Sequence, residues 1–553
     1  MSHNSAFLRK NRPNRIEKDI FFCYTDIILQ QKKDVFVMNP MNQTEEKREA
    51  IPNGVSRVVF TVLSVLLQVL WIVWAAIKLT RYYAWVQLAL SVLAFLLALR
   101  IYGRNTCSAT KISWIIVVLT FPIFGVCLYL LFGRSGAVNI MRGRFTRTNA
   151  ELLPHYAPPL ARDAMPDDLA LQNQIHYLQT QAQYPACRNT DVTYYGDTTA
   201  ALEAQKADLR KAQHFIFMEY HAIEDSTAWQ GIEDILAERA AAGVEVRVFY
   251  DDMGSIGFVD TAFAKKLQQR GIQCRVFNPI VPVLNVFMNN RDHRKITVID
   301  GQVGYTGGYN LADEYFNLTH PYGQWKDSGV RLQGDAVRSL TLIFLEMWGT
   351  TQKETPEIEP YLPAIHYTAR ENATVLPYAD NPLDNKRVGE DVYLNMINSA
   401  QRYVYITTPY LILSDEMQRA LVLAAQRGVD VRIITPGIPD KKLIFSVTRS
   451  YYARLAAGGV QIYEYTPGFI HAKQFVADGK AAAVGTINLD YRSLYLHFEN
   501  GCWFSGCKAV QTVRADFDAL FPQCANVTPQ YSGQRSLALR GVQCVFRLFS
   551  PLL

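Results

Sequence analysis

The chain has 553 residues, of which 49% are hydrophobic and 19% are charged, and its formal net charge is +6. This length exceeds one hydrophobic core, so two or three domains are expected. The composition fits a membrane-associated protein and argues against a nucleic-acid-binding protein, which needs a concentrated basic stripe. The nine cysteines include no Cys-x-x-Cys pair. This spacing argues against a disulfide framework or a structural zinc site and fits a reducing compartment.

The N-terminal part of the chain is predicted to enter the membrane. Residues 1–54 form a polar leader without the apolar run or cleavage site of a secretory signal. Residues 55–135 are predicted to be a transmembrane region, with apolar runs from Val58 to Ile77, Trp85 to Leu99 and Ile112 to Phe132. A bilayer core is crossed by about 20 apolar residues, so the first and third runs are predicted spans. Short polar connections favour the second run as well, which gives two or three helices.

The orientation of these spans is not decided by their flanking charges. With three spans, both membrane faces carry equal numbers of nearby basic residues, so the positive-inside rule does not discriminate. The dense basic group from Arg134 to Arg147, directly after the last run, favours a cytoplasmic C-terminal part.

The remainder of the chain contains two copies of one α/β unit. Residues 136–190 are predicted to be a linker with one helix, near Asp168 to Gln181. Strand and helix segments of 191–352 then recur in the same order in 373–522. Strands that alternate with helices predict parallel sheets covered by helices, so we expect a pseudo-two-fold catalytic domain. Residues 523–553 are predicted to be an amphipathic tail, either in the membrane interface or packed on that domain.

The two copies share one motif. It consists of a histidine, a lysine two positions later, an aspartate five positions further on, and then Gly-(Gly/Thr)-x-Asn after six residues. Its polar positions are His293, Lys295, Asp300 and Asn310 in the first copy and His471, Lys473, Asp478 and Asn488 in the second. One copy alone could be an ordinary strand and turn, but two copies with the same spacing argue against coincidence.

These residue types suit a phosphodiester substrate. A pseudo-two-fold axis would bring the two motifs to opposite sides of one position. One imidazole could then attack phosphorus while the other protonates the departing alkoxide. Ammonium and amide donors would stabilise the non-bridging oxygens. A metal site is not expected, because lysine is not a ligand at neutral pH and no carboxylate cluster accompanies the histidines.

The paired motifs resemble those of the phospholipase D superfamily. The segments RDHRKITVIDG, TGGYN, GFIHAK and GTINLDYRS, behind N-terminal spans, resemble bacterial cardiolipin synthases in particular. The resemblance extends from about Lys111 to the C-terminus. It implies phosphatidyl transfer through a covalent phosphohistidine, by which two phosphatidylglycerol molecules give cardiolipin and glycerol without a cofactor. Together with the apolar runs and the basic group after them, it predicts a multi-pass protein of the bacterial inner membrane, and the basic group favours a catalytic domain that faces the cytoplasm.

The resemblance also implies roles for individual residues. His293 would be the nucleophile and His471 the general acid and then base, although the near-symmetry of the motifs leaves the reverse assignment open. Asp300 and Asp478 would set the local loop and lysine positions. The residues implied to bind phosphate oxygens are Lys295, Lys473, Asn310 and Asn488.

An acidic residue orients each histidine in this superfamily. The candidates here are Asp327, which follows His293, and Glu499, which follows His471. We expect them to act crosswise, each carboxylate on the histidine of the other copy. The alternative is a surface or capping role.

Other functions remain open at this stage. The enzyme could be a phospholipase D-type hydrolase, or a transferase that uses another lipid such as phosphatidylethanolamine. An endonuclease is disfavoured by the membrane spans, and a non-catalytic scaffold by the intact motifs. The expected partners are a phospholipid and the bilayer, with no nucleic acid, and a homo-oligomer is left open.

Overall fold

The computed structural model describes residues 84–104, 106–132, 136–280, 289–351, 357–384, 386–533 and 537–550, with scattered residues between 59 and 78. The predicted polar leader, residues 1–54, lies outside this part of the chain. The first predicted span lies only partly inside it. Both therefore stay predictions.

One helix in the described residues is long and apolar enough to cross a bilayer. This is α1 (Ala84–Tyr102), whose 18-residue window from Trp85 to Tyr102 is only 17% buried within the protein. It contains the second of the three predicted runs. The membrane region therefore has one candidate span among the described residues.

The predicted span from Ile112 to Phe132 is wrong. The segment forms two short helices, α2 (Ser108–Thr120) and α3 (Pro122–Phe132). Pro122 lacks an N–H and disfavours helical backbone at the preceding residue. The helices fold back on one another so tightly that a Cβ at Gly125 would lie 2.3 Å from the Val117 carbonyl oxygen. At 1.5 Å per residue, α2 rises about 20 Å, too little for a bilayer core of about 30 Å.

The two helices after the membrane region pack on the catalytic units. They are α4 (Gly136–Leu152) and α5 (Leu169–Thr180). The α4 residue Phe145 stacks on Phe498 with ring centroids 4.7 Å apart. The helix predicted near Asp168 to Gln181 is confirmed as α5, and the Asp168 carboxylate caps it by accepting from the Ala170 N–H at 2.9 Å.

The first unit is a seven-stranded mixed sheet with helices. Its strands are β1 (Thr190–Tyr195), β2 (Phe215–Tyr220), β3 (Glu245–Asp251), β4 (Gln273–Phe277), β5 (Lys295–Ile299), β6 (Val303–Gly307) and β8 (Gly329–Gly334), while β7 (Gln324–Lys326) lies outside this sheet. Its helices are α6 (Thr198–Leu209), α7 (Thr227–Ala241), α8 (Phe263–Gln269) and α9 (Val337–Thr350). The strand order is β1-β8-β6-β5-β2-β3-β4.

The second unit repeats this arrangement with one additional strand. Its strands are β9 (Thr374–Asp380), β10 (Tyr403–Thr407), β11 (Asp430–Pro436), β12 (Gln461–Tyr465), β14 (Gln474–Ala477), β15 (Ala481–Gly485), β16 (Glu499–Ser505) and β17 (Cys524–Asn526). Its helices are α10 (Val388–Ser399), α11 (Asp415–Gln426), α12 (Lys442–Ala457), α13 (Tyr491–Tyr495), α14 (Lys508–Leu520) and α15 (Thr528–Tyr531). The order β17-β12-β11-β10-β14-β15-β16-β9, read backwards, matches the first sheet.

The sheets are mixed, whereas the alternation of strands and helices predicted parallel ones. Parallel pairing is confirmed for β2, β3 and β4 and for their counterparts β10, β11 and β12. The strands β5, β6 and β8 pair antiparallel. For β5 and β6 the cause is the turn between them, which has three residues, whereas a parallel crossover needs a dozen or more.

The two units share a core. Every residue of α9 except Arg338 is buried, and one hydrophobic cluster combines Val298 of the first sheet with Val484 and Cys502 of the second. The motif strands β5 and β14 therefore have fixed positions relative to one another.

The C-terminal helix α16 (Leu537–Phe549) contacts the membrane-proximal part. The Ser113 hydroxyl of α2 donates to the Leu548 carbonyl at 2.5 Å. The Arg547 guanidinium lies 4.5 Å from the ring centroid of Tyr451 on α12. The packed alternative for the tail thus accounts for these contacts, and a position in the membrane interface stays a prediction.

Candidate active site

Each motif histidine lies just before a buried strand and is hydrogen-bonded to the other unit through its backbone. The His293 N–H donates to the Phe498 carbonyl at 2.8 Å, and the His471 N–H donates to the Lys326 carbonyl at 2.7 Å. The second contact continues a parallel pair between β7 and β13 (Gly468–Ile470). The residues that follow these acceptors in the chain are Glu499 and Asp327, so the backbone pairing places both acids beside the histidines.

The side chains form two crosswise histidine–carboxylate pairs. His293 Nδ1 lies 2.9 Å from the Glu499 carboxylate, and His471 Nδ1 lies 2.6 Å from Asp327 Oδ2. Glu499 is 0% exposed and Asp327 1%. A carboxylate that accepts from Nδ1–H leaves Nε2 as the imidazole nitrogen available for chemistry. The structure thus brings together the pairs that the sequence analysis expected.

The two carboxylates are held differently, which accounts for the Gly/Thr difference in the motif. Thr486 and Ser493 donate their hydroxyls to Glu499, each at 2.5 Å. In the first unit the position of Thr486 is taken by Gly308, where a Cβ would lie 2.1 Å from Asp327 Oδ1. Only glycine therefore allows the shorter aspartate to occupy its place. The motif signalled Thr486 and Gly308, but nothing in the sequence analysis singled out Ser493.

The two motif lysines are buried and hold their own histidines. Lys295 Nζ donates to the His293 carbonyl at 2.7 Å, and Lys473 Nζ donates to the His471 carbonyl. Each ammonium has three N–H donors, so donors remain for a phosphate. Burial lowers the pKa of Lys295 to about 8 and that of Lys473 to about 7.

Burial favours the neutral form of both histidines in the free protein. Burial, followed by the charges of Lys295 and Lys473, holds the pKa of His293 well below its usual value. Burial and then Lys473 lower the pKa of His471 to about 4, although Asp327 opposes this. Burial raises the pKa of Asp327, but His471 and Lys473 together hold it below the ordinary value. A neutral His293 with a free Nε2 has the lone pair that a nucleophile needs.

The two motif asparagines lie beside this group with different partners. Asn310 Oδ1 accepts from the Ala222 N–H at 3.2 Å, and its Nδ2 donates to the Tyr315 hydroxyl at 2.8 Å. Asn488 Oδ1 is buried with no hydrogen-bond partner in the described part of the chain. Phosphate binding by these amides stays a prediction.

The motif aspartates lie at the other end of their strands, away from the histidines. Asp300 has φ of 52° and accepts from the N–H groups of Gln213, His214 and Phe215, each at 2.8 Å. Asp478 has φ of 55° and makes the equivalent contacts with residues 401–403. The structure does not bring these carboxylates to the site. Each anchors the start of a neighbouring strand.

The surroundings of the two histidines are not symmetric. His293 lies between two further histidines, His221 and His497, with ring centroids 4.8 and 5.6 Å away. His471 lies instead among Tyr315, Trp325 and Phe469. The sequence analysis missed these five neighbours. His497 could have been noticed from its position two residues before Glu499, where the first copy has a tryptophan before Asp327.

One group of side chains at this site has ligand-type atoms close enough to hold a metal ion. It consists of His293, His497 and Glu499, whose ligand atoms all lie within 4.8 Å of one another. The sequence analysis expected no metal, because it found no carboxylate cluster beside the motif histidines, and His497 lies outside both motifs.

Comparison with known proteins identifies the family. The family described as "Cardiolipin synthase, PLD-like domain" matches residues 206–348 and 393–521, and the "Phospholipase D-nuclease N-terminal" family matches residues 89–134. The cardiolipin synthase of Geobacillus thermodenitrificans is 35% identical over 470 residues, which cover 83% of this chain and 91% of that protein. The chain belongs to the cardiolipin synthase family.

Two further comparisons agree with this placement. An uncharacterized protein of Streptococcus mutans is 42% identical over 444 residues, which cover 80% of this chain and 96% of that protein. The crystal structure of phosphatidylserine synthase from Haemophilus influenzae has a TM-score of 0.53 at 13% identity and covers 69% of this chain and 99% of that one. That likeness shows the fold. Its membership of the cardiolipin synthase family makes the chain a phospholipase D-like enzyme that transfers phosphatidyl groups, and the fold has two tandem units.

Proposed function

We propose that the enzyme transfers a phosphatidyl group from one phosphatidylglycerol to a second one, giving cardiolipin and glycerol through a phosphohistidine on His293. The observation that carries this proposal is the pair of buried imidazoles, each with Nδ1 on a carboxylate of the other unit. Two imidazoles oriented in this way would give one phosphorus atom a nucleophile and an acid, as displacement at a phosphodiester requires.

In the first step, the lone pair of His293 Nε2 attacks phosphorus and the bond from phosphorus to the glycerol oxygen breaks. His471 gives its Nε2 proton to that oxygen, so neutral glycerol leaves. The bound phosphodiester is an anion, which favours the protonated imidazolium of His471 despite its low pKa in the free protein. The ammonium groups of Lys295 and Lys473 stabilise the charge on the non-bridging oxygens.

In the second step, His471 takes the proton from a hydroxyl of the second phosphatidylglycerol. That oxygen attacks phosphorus, the nitrogen–phosphorus bond breaks, and the electron pair returns to His293. Because the same base would activate water, exclusion of water from the site decides between transfer and hydrolysis.

The test of the proposed function is lipid analysis of the purified, full-length protein in phosphatidylglycerol micelles. We expect release of glycerol and formation of cardiolipin in equal amounts. Phosphatidic acid in place of cardiolipin would identify a hydrolase. Cardiolipin that forms only after phosphatidylethanolamine is added would assign a different donor.

We also propose a position in the bacterial inner membrane with the catalytic units facing the cytoplasm. The support is the basic group that directly follows the apolar region, since such groups favour the cytoplasmic side. A protease added to inverted membrane vesicles should then digest the catalytic units, while the same protease outside intact spheroplasts should leave them whole. The opposite pattern would place the units outside.

The affinity for the phosphodiester, measured as Kd, should depend on pH through the charges of the two lysines. Each lysine is charged below its pKa, so binding of the phosphate should weaken as the pH rises through about 7 for Lys473 and about 8 for Lys295. On the acid side, nucleophilic attack is lost when His293 becomes protonated, well below the usual histidine range. Lys473→Arg keeps its charge at every accessible pH, so in this variant the alkaline loss of affinity should move to higher pH. If the loss occurs at the same pH as in wild type, Lys473 is not the group that titrates.

A further inference from the structure

We propose that His293, His497 and Glu499 form an inhibitory site for a divalent cation of the zinc class. The three side chains present ligand atoms within 4.8 Å of one another. They come from both units, because His293 precedes β5 while His497 and Glu499 lie in the segment that enters β16. The site therefore exists only in the assembled fold.

His497 is the member of this group that neither motif nor the proposed transfer uses. Its side chain is 13% exposed, and neither ring nitrogen has a hydrogen-bond partner among the described residues. Glu499 Oε1 lies 3.8 Å from Nδ1, which is beyond hydrogen-bond distance. Buried polar groups without partners are uncommon in folded proteins. A metal ion would use the free lone pair of this imidazole.

The distances between the ligand atoms are close to those of a tetrahedral zinc site. Zinc bonds of about 2.0–2.1 Å to nitrogen and oxygen place neighbouring ligand atoms about 3.3 Å apart. His293 Nδ1 lies 3.0 Å from Glu499 Oε1, and His497 Nδ1 lies 3.8 Å from the same oxygen. These separations lie on either side of the ideal value, so small side-chain rotations would suffice. A fourth position would remain open.

The carboxylate already has the support that a metal ligand needs. Thr486 and Ser493 each donate a hydroxyl hydrogen bond to Glu499. Hydrogen bonds of this kind orient the side chains that coordinate a metal ion. Two imidazoles and one carboxylate are the donors that zinc, cobalt and nickel prefer. Magnesium and calcium select oxygen ligands instead. The donor set therefore disfavours magnesium and calcium at this site.

Metal binding at this site would block the proposed nucleophile, and this consequence rests on the proposed function. An ion on His293 Nδ1 replaces the proton that Nδ1 shares with Glu499. The neutral imidazole then carries its one proton on Nε2, so the proton count of the ring is unchanged and Nε2 loses the lone pair that attacks phosphorus. Inhibition follows without any contact between the ion and the lipid.

The half of the active site around His471 cannot form a second metal site of this kind. Trp325 precedes Asp327 by two residues, as His497 precedes Glu499, and its indole N–H offers no lone pair to a metal. Aromatic rings surround His471 there. The proposal therefore predicts one such ion for each chain.

The test is calorimetric titration of zinc into the full-length protein, produced without a polyhistidine tag and freed of metal with a chelator. We expect one tight site per chain. In His497→Asn the affinity should fall by at least about 10-fold, since even loss of an outer hydrogen bond at a metal site costs 10- to 100-fold. The matched control is His155→Asn, which removes a histidine whose imidazole lies 3.2 Å from the Glu359 carboxylate. This variant should leave the tight site intact. Equal affinity in wild type and His497→Asn would overturn the proposal.

A second measurement tests inhibition. Each variant is assayed with and without zinc, and its rate is divided by its own metal-free rate. Wild type and His155→Asn should be inhibited and then restored by chelator, while His497→Asn should need at least about 10-fold more zinc. If the protein lacks the proposed transfer activity, calorimetry still tests the site. Zinc that binds through His497 without inhibiting would overturn the regulatory part.

Discussion

Replacing either His293 or His471 by asparagine is expected to lower turnover of phosphatidylglycerol by at least about 10⁴-fold, as removal of a nucleophile or its acid–base partner does in other covalent enzymes. Asparagine is the appropriate substitution because its amide N–H can keep the hydrogen bond that Nδ1 makes to the carboxylate. The two variants should nevertheless fail at different steps. That difference decides which imidazole is the nucleophile.

The steps are separated with a phosphatidyl donor whose leaving group is p-nitrophenol. Nitrophenolate departs without a proton, so the first step no longer needs the acid. His471→Asn should then release about one nitrophenolate per active site and stop, because the base for the second step is missing. His293→Asn should release none. Alkaline denaturation of the stalled protein should leave the phosphatidyl group on His293.

The opposite result would exchange the two roles. A burst in His293→Asn and none in His471→Asn would make His471 the nucleophile. A burst in both variants would contradict a single covalent intermediate. Asp300→Asn is the control for loss of a motif residue outside the site, because its carboxylate contacts only the start of β2 among the hydrogen bonds of the first unit.

Much of the site could be predicted from the sequence because the motif occurs in both units. The repeat of the spacing identified His293 and His471, and the strand considered for the first motif is present as β5. The expectation of crosswise acids arose from family resemblance. Spacing alone would not select it, because each acid reaches the other unit only through the shared core around α9.

The remaining differences have physical causes that a pattern of hydrophobicity does not contain. Pro122 divides an apolar run that is long enough to cross a bilayer into two helices. The hydrophobic composition of the run does not indicate this break. The direction of a strand depends on the length of the connection before it. The short turn between β5 and β6 makes this pair antiparallel. His221 and His497 surround His293 by tertiary packing, from positions that carry no repeat.

Glu499→Gln should reduce kcat by about 10²–10⁴-fold, a range that covers the effect of neutralising the acid that orients a catalytic histidine. The carboxylate accepts from His293 Nδ1 and from the hydroxyls of Thr486 and Ser493. The amide of glutamine has only one oxygen, so its NH₂ group would face one of these donors and that hydrogen bond would be lost. The charge that stabilises His293 as it becomes positive in the phosphohistidine is also lost. KM for phosphatidylglycerol should change little.

Asp327→Asn is the matched variant, since it removes the same charge from the other histidine. With the nitrophenyl donor, Glu499→Gln should slow the burst itself, whereas Asp327→Asn should keep a fast burst and slow only the turnover that follows. A carboxylate needed only for folding would affect both phases equally, and thermal unfolding of each variant separates that case. If the two variants slowed the same phase, the crosswise pairs would not have the separate roles that their histidines require, and the proposed division between nucleophile and acid would be wrong.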